Sequence, residues 1–537
     1  MDNNGSGALS MDGNTNEYEA EKAEFLREAA AAFDRTMKED QEQVVTFDQM
    51  EDRALEVGTR LEVWLMEKLL AEAARKKAAQ APPCCPRCQK PLRMTAVPKK
   101  RRLRGRTGDV SFQRLEGYCP SCRKAFFPLD QNLKLGVEGY APALLRKIVS
   151  QGGRYAFGEA AHNLEELAEQ KISAQHVMRL TERIGAEWAA QRDREIEAFK
   201  QNHLARSHAQ APTAAAASVM LDGGRVQTRE EPSGPGVKNP EWHEPKYGCF
   251  TTLDTQASKT DPQPEPPRKY LDREGTPKLV RQIQSVRGET KTREQAPKTA
   301  QPSVRKKNKR PTKELLRTVI ATMAGVEEFG YQVAVEVYKR GLDLAVRKAC
   351  VCDGQKSNWS VWEEHLKEHG FIPILDFLHL LTYVYAAAQA QGGTGDQRWE
   401  RYAEWMTWAW QGKREALLLA INAAAARAGS APADAPETDP RRIIERTQTY
   451  VTNNIDKMDY RRYRKLGLPV SSAPVESTIK QFNKRVKGSE KFWRSSAAEA
   501  VLQIRAAQLS RDNRDERLWA MPRPYRAARH KPLPAIA

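Results

Sequence analysis

Apolar residues along the chain recur at two spacings, and the change from one to the other marks the elements. From Glu19 to about Gln80 the composition is rich in Ala, Glu, Leu and Lys. Leu61, Val63, Trp64, Leu65, Leu69 and Leu70 fall at helical intervals there, and Pro82-Pro83 ends the region. Residues 139–205 read as several short helices anchored by Ala160, Leu164, Leu167, Ile172, Val177, Leu180 and Ile184. The turn near Gln170–Ser173 joins two of them, as a helix-turn-helix or as a plain helical pair. Ala215–Leu221 is a short apolar run that predicts a buried strand ending at Asp222-Gly223-Gly224, and Tyr247–Leu253 predicts a second. Leu315–Ile320 fits a third strand or the start of a helix. Gly330–Leu344 is helical in pattern. Ala349–Cys352 is another apolar run, ending at Asp353-Gly354. Trp359–His369 reads as a helix and Phe371–Leu375 as a strand ending at Asp376. A long helical stretch follows to about Ala428, then a loop over 429–440, a helix from about Arg441, and an amphipathic helix opened by Glu476. Strands interleaved with helices place the chain in the α+β or α/β class.

Two segments carry little apolar signal. Residues 1 to about 17 are polar and are expected to be disordered. Residues 255–312 are polar, Pro-rich and basic, ending in the run Arg305–Arg310, and are expected to be an insertion with little core. A length of 537 residues allows three to four domains. The pattern divides them as follows: an N-terminal helical region (1–80), a cysteine module (81–130), a helical module (131–210), a segment of mixed strands and helices (211–379), a helical stretch (380–469), a further helical segment (470–512) and a basic tail (513–537).

Charge and cysteines then narrow the class. There are 87 Lys and Arg against 69 Asp and Glu, a net charge of +18. Such a balance favours a polyanionic partner, nucleic acid first, or serves as a solubilising surface. No apolar run approaches the ~20 residues of a membrane span, and no secretory pattern opens the chain, so a reducing cytoplasm is expected. Five of eight cysteines lie between positions 84 and 122. Cys85-Pro-Arg-Cys88 and Cys119-Pro-Ser-Cys122 are two C-x-x-C knuckles, whose four thiolates suit tetrahedral Zn²⁺ in a closed, structural site. Cys84 is expected to stand aside. The long segment between the knuckles predicts a hairpin carrying Lys99, Lys100, Arg101, Arg102 and Arg104, which suits DNA phosphates.

Two apolar runs end in Asp-Gly, at Asp222 and Asp353. A strand end places a carboxylate at the rim of a sheet, and glycine lets a substrate backbone approach. Taken singly, each is also an ordinary turn. Together with Glu476 they form a set that can hold two Mg²⁺ or Mn²⁺ ions for phosphodiester chemistry.

The ordered motifs resemble a known family. Cys-Pro-x-Cys followed by Phe126-Phe127-Pro128-Leu129-Asp130 resembles the N-terminal region of bacterial insertion-sequence transposases of the ISKra type. Met220-Leu221-Asp222-Gly223-Gly224 and Val351-Cys352-Asp353-Gly354 resemble their two catalytic strands. Ile374-Leu375-Asp376-Phe377-Leu378-His379 is similar to the C/D-x-x-H signature shared with Mutator-like transposases. Gly467–Ser477 resembles the segment that brings the catalytic Glu, and Lys487, Trp493, Ala498 and Leu502–Ala506 the helix after it. The resemblance covers roughly residues 84–510. It implies that 211–379 and 470–512 form one RNase H-like catalytic domain interrupted by a helical insertion (380–469), and that 131–210 is a helical DNA-binding module. It also implies a catalytic triad of Asp222, Asp353 and Glu476, with Asp376 and His379 as an auxiliary pair. The expected activity is cleavage and transfer of DNA strands at terminal inverted repeats, by a homo-oligomer in a bacterial cytoplasm. The chain departs from the family where Ser471-Ser472-Ala473-Pro474 replaces a Gly-Ser-Gly segment, which stiffens the approach to Glu476.

Other features have a structural and a functional reading. His365-Leu366-Lys367-Glu368-His369 matches an inverted zinc-protease pattern but sits in a charged helix and reads as a solvated face. Trp399, Trp405, Trp408 and Trp410 fit a helical core better than a base-stacking surface. Trp493, beside Lys484, Arg485, Lys487, Lys491 and Arg494, is expected to contact DNA. The competing function class is a non-catalytic zinc and helix-turn-helix DNA binder derived from a transposase.

Overall fold

The computed structural model describes residues 12–38, 46–78, 83–206, 214–229, 241–287, 313–488 and 491–521. Contacts divide the chain into two compact units. One comprises residues 1–148, 164–170 and 521–537; the other comprises 149–163 and 171–520.

The first unit begins with helices α1 (Asp12–Lys38) and α2 (Phe47–Ala78). Residues 12–17, expected to be disordered, instead open α1, while residues 1–11 lie outside the described residues. The cysteine module follows. Strands β1 (Arg93–Met94), β4 (Gly117–Cys119) and β5 (Lys124–Phe126) form a small sheet, and between its knuckles β2 (Lys99–Arg104) pairs antiparallel with β3 (Asp109–Arg114). This is the hairpin that the spacing of the cysteines predicts. A short helix α3 (Pro128–Asn132) closes the module.

Helices α4 (Pro142–Arg154) and α5 (Phe157–Ala168) run across the division between units, and α6 (Ala174–Lys200) belongs to the second. Ser173 caps α6 by accepting the His176 N–H. At 27 residues α6 is longer than the short helices its apolar anchors suggest.

The second unit is built on a five-stranded sheet. Its strands are β6 (Ala216–Gly223), β9 (Lys246–Asp254), β10 (Lys313–Thr322), β11 (Arg347–Cys352) and β12 (Ile372–Leu375). Two short strands, β7 (Val226–Thr228) and β8 (Glu241–His243), pair apart from it. The order is β10-β9-β6-β11-β12. β9 runs antiparallel to both β10 and β6, whereas β6, β11 and β12 run parallel to one another. Leu315–Ile320 is therefore strand, paired with β9 from Leu316 onward after a shift of register at Leu315. Side chains alternate between two apolar cores. Met220, Val351 and Ile374 face one, and Val219, Leu221, Cys350 and Cys352 face the other.

Helices cover both faces. On the Cys350 side lie α8 (Val326–Arg340) and α9 (Lys356–His365), through Phe329, Val333 and Val361. On the Met220 side lie α7 (Gly275–Arg287), α10 (Phe377–Ala390), α11 (Gly395–Trp410), α12 (Arg414–Ala428), α13 (Pro440–Asn454), α14 (Tyr460–Lys465), α15 (Ala473–Val486) and α16 (Ser495–Leu509). Trp405 and Trp410 are buried in that core, as their spacing implies. Two expectations fail here. Residues 255–287 are not an insertion without core, because Tyr270, Val280 and Ile283 are buried in the same cluster; the basic run Arg305–Arg310 lies outside the described residues. Nor is 513–520 a free basic tail. It forms α17 (Arg514–Ala520), and Arg514 is sunk against Glu336 and Asp512. No helix among the described residues is long and apolar enough to cross a membrane.

Gly185 shows how tightly α6 and α16 pack. A glycine inside a helix costs about 1 kcal/mol relative to alanine. Here a Cβ would collide with the backbone carbonyl of Ala500. Gly185→Ala should therefore destabilise the protein by about 1–3 kcal/mol despite its better helix propensity. Urea denaturation checks this, and a gain in stability would refute the close packing.

Candidate active site

The parallel register assembles the acidic residues. Leu221 pairs with Cys352, and Cys352 with Leu375. The residues that follow, Asp222, Asp353 and Asp376, thus stand side by side at the carboxyl ends of three adjacent strands. Neighbouring strands lie roughly 4.8 Å apart. Continuing the alternation puts all three on the face of Met220, Val351 and Ile374. The same core receives Val475, Ile479 and Phe482 of α15, the helix that carries Glu476. All four carboxylates are nearly buried.

Each has a defined surrounding. Asp222 Oδ1 accepts the Gly223 N–H at 2.8 Å. Asp353 Oδ1 accepts the Gln355 N–H at 3.0 Å and Asn358 Nδ2 at 3.0 Å, which fixes its rotamer at the start of α9. Gly354 adopts φ 96°, and a side chain there would strike the Tyr450 ring, whose hydroxyl donates to the Asp353 carbonyl at 2.8 Å. A cleft of about 330 Å³ opens beside Asp222, lined by Gly223, Gly224, Arg225, Glu244 and Gln355.

Glu476 sits in the first turn of α15, after Pro474. Its carboxylate is held at the Asp376–His379 pair. Ser472 Oγ donates to Glu476 Oε1 at 3.4 Å, and His379 Nδ1 lies 4.0 Å from the same oxygen. His379 Nδ1 is also 2.5 Å from Asp376 Oδ2, while Asp376 Oδ1 accepts the Ser472 N–H at 2.8 Å. Ser472 therefore makes the loop that lacks the glycines a fixed bridge between Asp376 and Glu476. Burial pushes the Glu476 carboxyl up, and the Asp376 charge adds to this. For Asp376 burial acts in the same direction, but the hydrogen bond and charge of His379, with the Ser472 N–H, outweigh it and hold the carboxyl below its usual range.

Asp376, His379 and Glu476 form a set whose ligand atoms all lie within 4.8 Å, able to hold a metal ion. Asp222 and Asp353 are outside it. The expected triad of Asp222, Asp353 and Glu476 thus shares one sheet edge but is not closed to common ligand distance. The reason is local: Ser472 and His379 draw Glu476 to the third aspartate.

The four cysteines do converge. Cys85 and Cys122 sulfurs are 3.8 Å apart, and those of Cys88 and Cys119 3.6 Å. Tetrahedral Zn²⁺ with Zn–S of ~2.3 Å requires sulfur–sulfur edges of about 3.8 Å, so the set fits. Burial opposes ionisation of the Cys85 thiol, yet the backbone N–H groups of Arg87 and Cys88 bring it down to about 7. Cys84 is exposed and outside the cluster.

Several expected DNA contacts are occupied within the protein. Arg101 binds buried Asp130 at 2.6 Å and the carbonyl of Glu138 at 3.1 Å. Lys99 pairs with buried Glu116, and Arg104 Nε donates to Gln170 at 3.2 Å. Arg102 pairs with Asp109 at the surface, and Lys100 is exposed. Arg485 is buried, donates to the Gly152 carbonyl at 2.9 Å and stacks on Phe157 and Trp493. Trp493 is buried too; its indole donates to the Val486 carbonyl and its backbone pairs with Gln227. Neither presents a surface to DNA. Lys487 and Lys491 are half-buried, whereas Lys484 and Arg494 are exposed. Asn358 and Ser472 escaped the sequence reading. Asn358 had a signal, a polar residue five positions after a strand-end aspartate and in the first turn of the next helix.

No model of a known protein family matches the chain, and no curated protein does.

Proposed function

We propose that this chain is a metal-dependent DNA transposase, in which Asp222, Asp353 and Glu476 are the catalytic carboxylates of an RNase H-like domain. The observation that carries the reading is the alignment of aspartates at the ends of parallel strands with the Glu476 helix packed on the same face. An antiparallel trio of strands joined to a parallel pair is the sheet expected of such a domain. The net charge of +18 suits a DNA substrate.

The carboxylates offer the oxygen donors that Mg²⁺ or Mn²⁺ prefers. Asp222, Asp353 and Glu476 would hold two such ions, which would supply a stronger oxygen nucleophile and a counter-charge for the leaving oxygen. The chain's own groups position the rest. Asn358 and the Gln355 N–H hold Asp353, and Gly223, Gly224 and Gly354 let Glu244, Tyr247 and Tyr450 pack closely against the strand ends. Asp376, His379 and Ser472 aim the start of α15 and set where Glu476 rests. Water attacks a phosphodiester in line, leaving a 5′-phosphate and a 3′-oxygen that takes up a proton; that 3′-hydroxyl then attacks a phosphodiester of target DNA, forming a new phosphodiester as its own proton is lost and a target 3′-hydroxyl is released. The zinc knuckles fold the N-terminal module, whose exposed Lys100 and Arg102 are suited to phosphate.

The test uses the full-length protein and labelled duplexes covering the DNA that flanks its gene. Nicking that leaves a 3′-hydroxyl is expected with Mg²⁺ or Mn²⁺ and not with EDTA. Binding without nicking in either metal would favour the non-catalytic reading instead.

A further inference from the structure

Helices α1 and α2 form an antiparallel hairpin. Phe25 packs on Trp64 with ring centroids 5.4 Å apart, Glu24 pairs with Lys68 at 2.6 Å, and Glu21 with Arg75 at 3.4 Å. A second side of α2 rests on the β2–β3 hairpin, where Leu70 joins Leu103, Val110 and Phe112 and Glu67 accepts the Ser111 N–H at 2.7 Å. Among the described residues, a third side of α2 and a second side of α1 carry exposed apolar side chains. Leu26, Phe33 and Met37 on α1, and Leu55, Leu65 and Leu69 on α2, are 49–62 % exposed. With Ala23 and Ala30, the α1 residues follow the alternating three- and four-residue steps of a coiled-coil seam.

The direction of these stripes follows from helix geometry. At about 100° per residue, each stripe lies roughly 140° from the side its helix turns to the other, in the same rotational sense along the chain. Because the helices are antiparallel, equal rotations bring both stripes to one side of the hairpin. The β2–β3 contact lies on the opposite side. The result is an apolar face two helices wide. Near its middle stands Gly58, where a Cβ would meet nothing within 4 Å. A mid-helix glycine costs about 1 kcal/mol, and no contact among the described residues requires it.

We propose that this face is a dimerisation surface and that its occupant is a second copy of this chain. A two-fold axis parallel to the helices lays α1 of one subunit antiparallel on α2 of the other, at the heights seen within one hairpin, where Phe25 meets Trp64 and Glu24 meets Lys68. Leu26 then faces Leu65 of the partner subunit, Phe33 enters the notch left by Gly58 of the partner subunit, and Met37 reaches Leu55 of the partner subunit. Arg27 lies level with Glu62 of the partner subunit, so charge matches at the rim. Exposed side chains of this size contribute roughly 100 Å² each, and the six together bring on the order of 600 Å² per copy, most of the ~800 Å² per partner of a stable interface. This inference does not rest on the catalytic reading.

The test is the mass of the full-length, zinc-loaded protein without DNA, by light scattering or sedimentation at about 50 µM, well above the dissociation constant of a standard interface. A dimer is expected. Phe33→Glu with Leu65→Glu should give a monomer with unchanged helical circular dichroism and zinc content, since both positions are exposed. Gly58→Leu, which favours the helix but fills the notch, should weaken the dimer at least tenfold. A monomeric wild type, or a dimer that survives Phe33→Glu with Leu65→Glu, overturns the proposal.

Discussion

Asp222→Asn, Asp353→Asn and Glu476→Gln are each expected to lower metal-dependent strand cleavage by about a thousandfold or more while DNA binding persists. Each exchange keeps the shape of the side chain and removes the charge that a divalent cation needs. Binding should survive because it draws on surface cations rather than on these nearly buried acids. Glu476→Gln makes a second, opposite prediction for stability. Burial, then the neighbouring Asp376 charge, raises the Glu476 carboxyl above its ordinary 4.5. The folded chain thus keeps this proton over a pH window in which the unfolded chain has already lost it. Stability present below that window is lost as pH rises through it, so at neutral pH the charge is a net cost. Without metal, Glu476→Gln should melt no lower than wild type at pH 7, and its advantage should vanish below the window. Cleavage at the wild-type rate in any of the three variants would sink the catalytic assignment. A loss of folding in Glu476→Gln would instead show that the carboxylate is a structural group.

Removing zinc is expected to unfold the cysteine module. The core around the four sulfurs contains Leu92 and Phe126 and little else. A cluster of that size cannot offset the entropy of ordering the surrounding backbone. Structural zinc sites of this kind contribute an apparent ~10–16 kcal/mol of folding free energy. Purified protein should carry one zinc per chain at this site. Chelation, or Cys119→Ser, should open residues 83–130 to proteolysis, whereas Cys84→Ser should change neither metal content nor protection. A chelated protein that stayed protease-resistant over this segment would refute the structural role. The β2–β3 hairpin should be released with the knuckles, since Arg101 and Arg114 share Asp130 just beyond them. DNA binding should then fall through lost order, with no change at Asp222, Asp353 and Glu476.

The two sites differ in how far spacing alone exposed them. Cys85, Cys88, Cys119 and Cys122 were legible because a C-x-x-C turn is a local geometry, and two such turns have one simple way to satisfy a tetrahedral ion. The strand-end aspartates were legible for a similar reason: a short apolar run cut off by Asp-Gly signals a buried strand reaching a rim. For Glu476 the element was legible, but its contact with Asp376 and His379 was not. That contact spans almost a hundred residues and depends on Ser472, whose role appears only when the loop is folded. Arg485 and Trp493 misled in the other direction. A run of cations beside an indole looks like a DNA-binding face, yet the turn of α15 carries Arg485 inward onto Phe157 while backbone pairing with Gln227 pins Trp493 in the core.

By itself the sequence determined what short-range physics controls: the period of its helices, the buried runs that become strands, the cysteine knuckles and the excess of positive charge. Tertiary structure alone decided which of those charges face water, which acids meet, that residues 255–287 join the core, and that Leu315–Ile320 is a strand. These outcomes turn on contacts between segments far apart in the chain, where burial and pairing of one group depend on the exact arrival of another, and no local period carries that information.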